Sequence, residues 1–92
     1  MAKTVQEILK EREKTHGDFS EHATITQAIK SCYKITNSYD SLNSLQREAL
    51  DMIAHKIGRI LAGNPDVKGH WDDIAGYATL VSERIEDDNS SD

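Results

Sequence analysis

The chain has 92 residues, enough for one domain, and 37% of them are hydrophobic, 29% charged, with a mean hydropathy of -0.63. Its 11 Lys and Arg stand against 16 Asp and Glu, a net charge of -5, which argues against sequence-independent nucleic-acid binding because that needs a basic footprint. A single proline and few aromatics argue against a small β-barrel or sandwich, one cysteine rules out an intrachain disulfide, and no apolar run approaches the roughly 20 residues of a membrane span.

A globule of this size buries roughly 60–65% of the surface that its unfolded chain exposes. The core is therefore thin, and a homo-oligomer that hides further apolar area is expected. The opening MAKTVQEILKEREK has no long apolar stretch, so it does not read as a signal peptide. With the lone Cys32 read as a small buried group, a cytoplasmic setting follows. The acidity is partly local: taking the four acids of the tail Glu86–Asp92 from -5 leaves -1 on the body.

The first helix is predicted from about Val5 to Lys14, with Thr4 and Glu7 at capping-box spacing. Val5, Ile8 and Leu9 give it one short apolar stripe, too little to hold a helix alone. His16-Gly17-Asp18 breaks it; Gly17 suits a left-handed C-terminal position and Asp18 can cap the next helix, with Glu21 three residues on. That second helix is predicted over Phe19 to Thr36, with Phe19, Ala23, Ile25, Ala28, Ile29, Cys32 and Tyr33 on a 3.6-residue rhythm. A polar connection, residues 37–41, follows. The third helix starts near Asn43 or Ser44 and stops before Gly63-Asn64-Pro65, with a wide apolar face from Leu45 to Leu61. The fourth begins around Gly69–Trp71 and runs to about Glu86, on a stripe of Trp71, Ile74, Ala75, Ala78, Val81 and Ile85. Gly76 in its interior costs about 1 kcal/mol against alanine, which suggests close packing or a ligand near the backbone. The expected architecture is all-α, a compact four-helix bundle with a short first helix, over residues 1–86, followed by a disordered acidic tail, 87–92.

Three places can carry chemistry. Helix 3 lines up Glu48, Asp51, His55 and Arg59 at offsets of three, seven and eleven, with Lys56 one position round. Asp51 and Lys56 lie inside the apolar run DMIAHKIGRIL, and a buried charge needs a partner. Helix 4 offers Asp72 and Asp73 in its expected first turn, where the helix dipole favours acids. Asp72 reads as a cap; Asp73 leans inward, toward either a metal or an ion pair with Lys56 or Arg59. His16-Gly17-Asp18 is a turn that either joins two helices or forms a backbone nest for an anion. His70 and Trp71 open helix 4, Trp71 as a core anchor or as an indole on which a base could stack.

Together, EREKTHGDF, QREALDMIAHKIGRILAGNP and HWDDIAGYATL resemble a family of small phage and prophage proteins of unassigned function, over about Ile8 to Val81. That family is distantly similar to the nucleotide-modification-associated proteins of phages. Their YGD-like turn, K-x-x-R helix and D-x-x-x-Y helix fall here on His16-Gly17-Asp18, on Lys56 and Arg59, and on Asp73 and Tyr77. More remotely the chain looks like the all-α, MazG-like nucleotide pyrophosphohydrolases, whose E-E-x-x-E and E-x-x-D helices hold Mg²⁺ against a triphosphate. The first motif falls on Arg47-Glu48-x-x-Asp51 and the second on His70-x-x-Asp73, so arginine and histidine stand where the family has glutamates.

The resemblance implies two functions. One is a non-catalytic accessory module that binds a nucleotide or a host protein in the host cytoplasm. The other is a Mg-dependent (or Mn-dependent) MazG-like nucleoside triphosphate pyrophosphohydrolase, with Glu48, Asp51 and Asp73 on the metal. In either, His16, Asp18, Lys56 and Arg59 hold phosphate or ligand, and His70 and Tyr77 are possible additions.

Overall fold

A computed structural model describes residues 2–90, with side chains through 88. It is all-α. Helix α1 spans Val5–His16, α2 Phe19–Lys34, α3 Ser44–Ala62 and α4 Lys68–Ser90. A single 3-10 turn, Tyr39–Ser41, interrupts the connection between α2 and α3.

The helix starts follow local chemistry. Thr4 and Asp18 accept from the N–H groups of Glu7 and Glu21, each at 3.1 Å. Asn43 accepts from Gln46 N–H while the Gln46 side chain accepts in return from Asn43 N–H, a complete capping box. Arg47 is also structural. Its Nη2 donates to the carbonyls of Tyr39 and Asp40 at 3.2 and 3.0 Å, and its guanidinium lies 4.8 Å from the Tyr39 ring centroid. Arg47 thus ties down the turn before α3.

Helix α4 begins earlier and ends later than its sequence suggests. Asn64 accepts from Asp66 N–H at 2.9 Å, a tight local turn that lets the helix open at Lys68. Asp72 is therefore one turn inside the helix and is not a cap; it pairs with Lys68 at 2.6 Å. At the other end the helix continues to Ser90 through most of the expected acidic tail, with Arg84 and Asp88 3.7 Å apart across one turn. Ser91 and Asp92, the end of that tail, lie outside the described residues.

Helix α3 is the hub. Both α2 and α4 pack along it, and the end of α1 reaches the same helix. The interior is small and polar. Among the described residues, the buried apolar side chains are Ala49 and Ala54, whereas His22, Thr26, Lys56 and His70 are all buried. Phe19 is 78% exposed and Trp71 54% exposed, so neither anchors a core. Cys32, expected inside, is exposed as well. The periodicity that placed these residues on apolar faces is real, but nothing among the described residues covers those faces. The molecule measures 57 × 29 × 23 Å. No described helix is long and apolar enough to cross a membrane.

Candidate functional site: a histidine and arginine cluster on helix α3

Two close crossings build the site. At the first, the α1–α2 turn lies against the end of α3. Gly17 takes φ 77° and its N–H closes α1 on the Glu13 carbonyl at 2.9 Å. A Cβ on Gly17 would run into the backbone carbonyl of Ala62, and one on Gly63 would stand 2.6 Å from Gly17 N. At the second crossing α2 lies across α3 at Gly58, where His22 and Thr26 fill the space that a side chain would take. Gly76 is different: its surroundings are open, so tight packing within the chain does not explain it.

These crossings gather every histidine in the chain. The His16 and His70 rings meet edge-on at 5.3 Å, and those of His22 and His55 at 5.7 Å. His70, in the first turn of α4, is buried, and its Nε2 lies 3.0 Å from the Thr15 carbonyl at the end of α1. Arg59 stands among them: its charge acts on His16, His22 and Asp73 alike. Arg59 Nε, His22 Nε2 and Thr26 Oγ1 are buried without a hydrogen-bond partner. Such orphaned polar atoms are uncommon in folded proteins and mark places where a further group fits or a cost is borne.

Next to this cluster Lys56, only 7% exposed, holds Asp73 at 2.8 Å. Of the two fates open to Asp73, the ion pair is the one present. The bond from Lys56 and its charge hold the Asp73 carboxyl below its ordinary range. Burial pushes the His16 and His22 imidazoles below their ordinary value, and the neighbouring Arg59 guanidinium adds to this; His70 and Arg12 act on His16 in the same sense, as His55 does on His22. Taken together, Lys56 and Asp73 neutralise one another, the His16 and His22 imidazoles resist protonation, and Arg59 is left as positive charge.

This sets a pH dependence. An unfolded histidine titrates near 6.5, and His16 and His22 take up protons less readily when folded. The stability that they contribute is fully present above that value and is lost as the pH falls through it toward the folded values. Thermal melts between pH 8 and pH 5 should show Tm falling below about pH 6.5, with a smaller fall in His22→Gln. A Tm that stays level or rises on acidification to pH 5 contradicts this account of the cluster.

The expected site residues separate into groups. His16, Lys56, Arg59, His70 and Asp73 belong to the cluster or its border. Asp18 sits beside His16 in a shallow cleft with Leu9, Arg12 and Phe19, but its carboxylate is engaged as the cap of α2. Tyr77 is half-buried on α4, in an open depression shared with Asp73 and Leu80. The proposed metal acids do not converge. Glu48 is exposed, Asp51 lies 3.9 Å from Lys30 on α2, and Asp73 is bound to Lys56. Among the described residues no three His, Cys, Asp or Glu side chains stand close enough to hold a metal ion. These residues do not fit a magnesium site within one chain, which needs several oxygens in near-octahedral array. Two members that sequence reasoning left out, His22 and Thr26, face Gly58 from α2. The small residue within HKIGRIL was the available sign of a close helix crossing there.

No curated protein and no solved structure matches the chain. A family model described as a domain of unknown function, DUF6378, matches residues 1–85, all four helices apart from the end of α4. The chain therefore belongs to the DUF6378 family.

Proposed function

We propose that this protein is a non-catalytic nucleotide-binding accessory module, in which the cluster on α3 receives a phosphate of the nucleotide. The observation that carries the reading is Arg59: a guanidinium among His16, His22 and His70, its Nε buried without a partner, on a protein of net charge -5. Arginine's fork of donors matches phosphate oxygens, and a charge-assisted bond contributes about 1.5–3 kcal/mol. Lys56 is already paired with Asp73 at 2.8 Å, so the phosphate falls to Arg59, and Tyr77 and the half-exposed Trp71 are the aromatic surfaces that α4 offers to a base. The indole of Trp71 is held in place by its Nε1, which donates to the Pro65 carbonyl at 2.7 Å, and a base could stack on it. The stretches EREKTHGDF and HWDDIAGYATL support a phage or prophage setting and a distant MazG-like origin. The separation of Glu48, Asp51 and Asp73 favours binding over hydrolysis.

Calorimetric titration with a panel of deoxynucleoside triphosphates and cyclic nucleotides tests this. Wild-type protein should bind at least one of them without added Mg²⁺ or Mn²⁺, and Arg59→Gln should weaken that binding about 10- to 100-fold. Arg84→Gln, far along α4, should not change it. Absence of heat with every ligand in folded wild type sinks the proposal, as does equal affinity in folded Arg59→Gln. Metal-dependent release of pyrophosphate would replace it with the hydrolytic reading.

A further inference from the structure

Helices α3 and α4 form an antiparallel hairpin, and between them runs an apolar groove. Its walls are Leu42, Leu50 and Ile53 from the α3 side and Ala78 and Val81 from α4, with Gln46 the one large polar side chain. Leu45 and Ile85, both near the same end of the hairpin, are exposed. No charged residue lines the groove.

The surface area says that something is missing. The chain exposes 6794 Å², whereas a folded monomer of 10.3 kDa is expected to expose about 5,400 Å². The excess, about 1,400 Å² per chain, is what a copy would hide in an obligate homodimer, whose interfaces bury about 2,000–5,000 Å² in total. The radius of gyration agrees: 16.2 Å against about 12 Å for a compact chain of this length. A chain whose buried apolar side chains, among the described residues, are Ala49 and Ala54 has too little core of its own to offset the entropy of ordering it.

We infer that the α3–α4 groove is closed by the same groove of a second copy, related by a two-fold axis. Two facing antiparallel hairpins make a four-helix core, and a two-fold contact presents one patch to itself. Identical copies can meet here because the groove carries no like charges to repel. The partner must also be present whenever the chain folds, which another copy always satisfies. Leu50, Ile53 and Val81 then leave water in both copies, and Leu45 and Ile85 seal the end. This leaves the Arg59 cluster and the nucleotide reading untouched, since the cluster is built on the opposite end of α3.

Sedimentation of wild-type protein should give twice the 10.3 kDa chain mass and a Tm that rises with protein concentration. Ala78→Glu puts a charge into the groove and should give the single-chain mass or an unfolded chain, whereas Thr79→Glu, on the outer side of α4, should remain dimeric. A second measurement needs no variant: in a mixture of isotope-labelled and unlabelled wild type, contacts between chains should arise from the methyls of Leu50, Ile53 and Val81. A folded wild type that stays at one chain mass up to millimolar concentration overturns the inference. So does a dimer whose contacts between chains come from Val5, Ile8 or Phe19 instead.

Discussion

Replacing Gly17 by alanine should cost about 2–6 kcal/mol. Two penalties combine. Its φ of 77° with ψ of -174° lies in a region essentially reserved for glycine, where another residue bears about 1–3 kcal/mol of strain. The added Cβ also meets the carbonyl of Ala62, and Gly63 N at 2.6 Å; these are backbone atoms that cannot step aside by changing rotamer, so overpacking of about 1–3 kcal/mol is added. In a domain this small each kcal/mol shifts Tm by about 4–8 °C, so a fall of about 10 °C or more is expected. The same contact seen from its other side predicts that Gly63→Ala fails in the same direction. A Gly17→Ala protein that melts within a few degrees of wild type would mean that the α1–α2 turn does not rest against α3, and the site would lose one wall.

The glycines on α3 and α4 should respond in opposite senses. At Gly58 a Cβ meets the His22 ring and stands 2.6 Å from Thr26 Oγ1. His22 has little freedom to retreat, because its ring is packed edge-on against those of Phe19 and His55. Overpacking of about 1–3 kcal/mol is offset by the roughly 1 kcal/mol that alanine gains over glycine within a helix. The net expectation for Gly58→Ala is a loss of up to about 2 kcal/mol. At Gly76 nothing stands within 4 Å of the added Cβ, so the helix gain is unopposed and Gly76→Ala should stabilise by about 0.5–1 kcal/mol. Denaturant melts of the two variants check this. A stabilising Gly58→Ala would show that α2 and α3 do not cross so closely.

That pair also shows what was legible in the sequence. Gly76 draws attention because it interrupts a helix, yet it faces open space. Gly58 looks unremarkable in DMIAHKIGRIL, yet two helices meet there. A glycine's need depends on what lies opposite, and a linear pattern does not carry that. Caps do read directly, because they are local: Thr4, Asp18 and Asn43 each bond an N–H three residues on. The start of α4 misleads for the converse reason. Two successive acids resemble a first turn, but the turn at Asn64–Asp66 starts the helix sooner and leaves Asp72 to pair with Lys68.

The candidate site was partly legible. Lys56 in an apolar run demanded a partner, and Asp73 was one of the acids that could supply it; their 2.8 Å pair follows from that logic. The gathering of His16, His22, His55 and His70 did not follow from spacing, since His70 meets Thr15 across 55 residues. The metal triad failed on direction. Glu48 and Asp51 sit near the start of α3, and Asp73 near the start of an antiparallel helix, so within one chain Asp51 and Asp73 turn to Lys30 and Lys56 instead. Burial was read least well. Phe19, Trp71 and Cys32 lie on apolar stripes, but a stripe is buried only where another element covers it.

The central claim, that the Arg59 cluster receives a phosphate, is tested most directly at the imidazoles themselves. Nitrogen-15 and proton spectra of the histidine rings would be recorded while a deoxynucleoside triphosphate, and separately inorganic pyrophosphate, is added at pH 7. The account predicts that the signals of His16, His22 and His70 shift together and saturate, and that Arg59→Gln abolishes the shift while its spectrum stays that of a folded protein. Ring signals that remain in place while the nucleotide binds elsewhere, or that shift equally in Arg59→Gln, would contradict it.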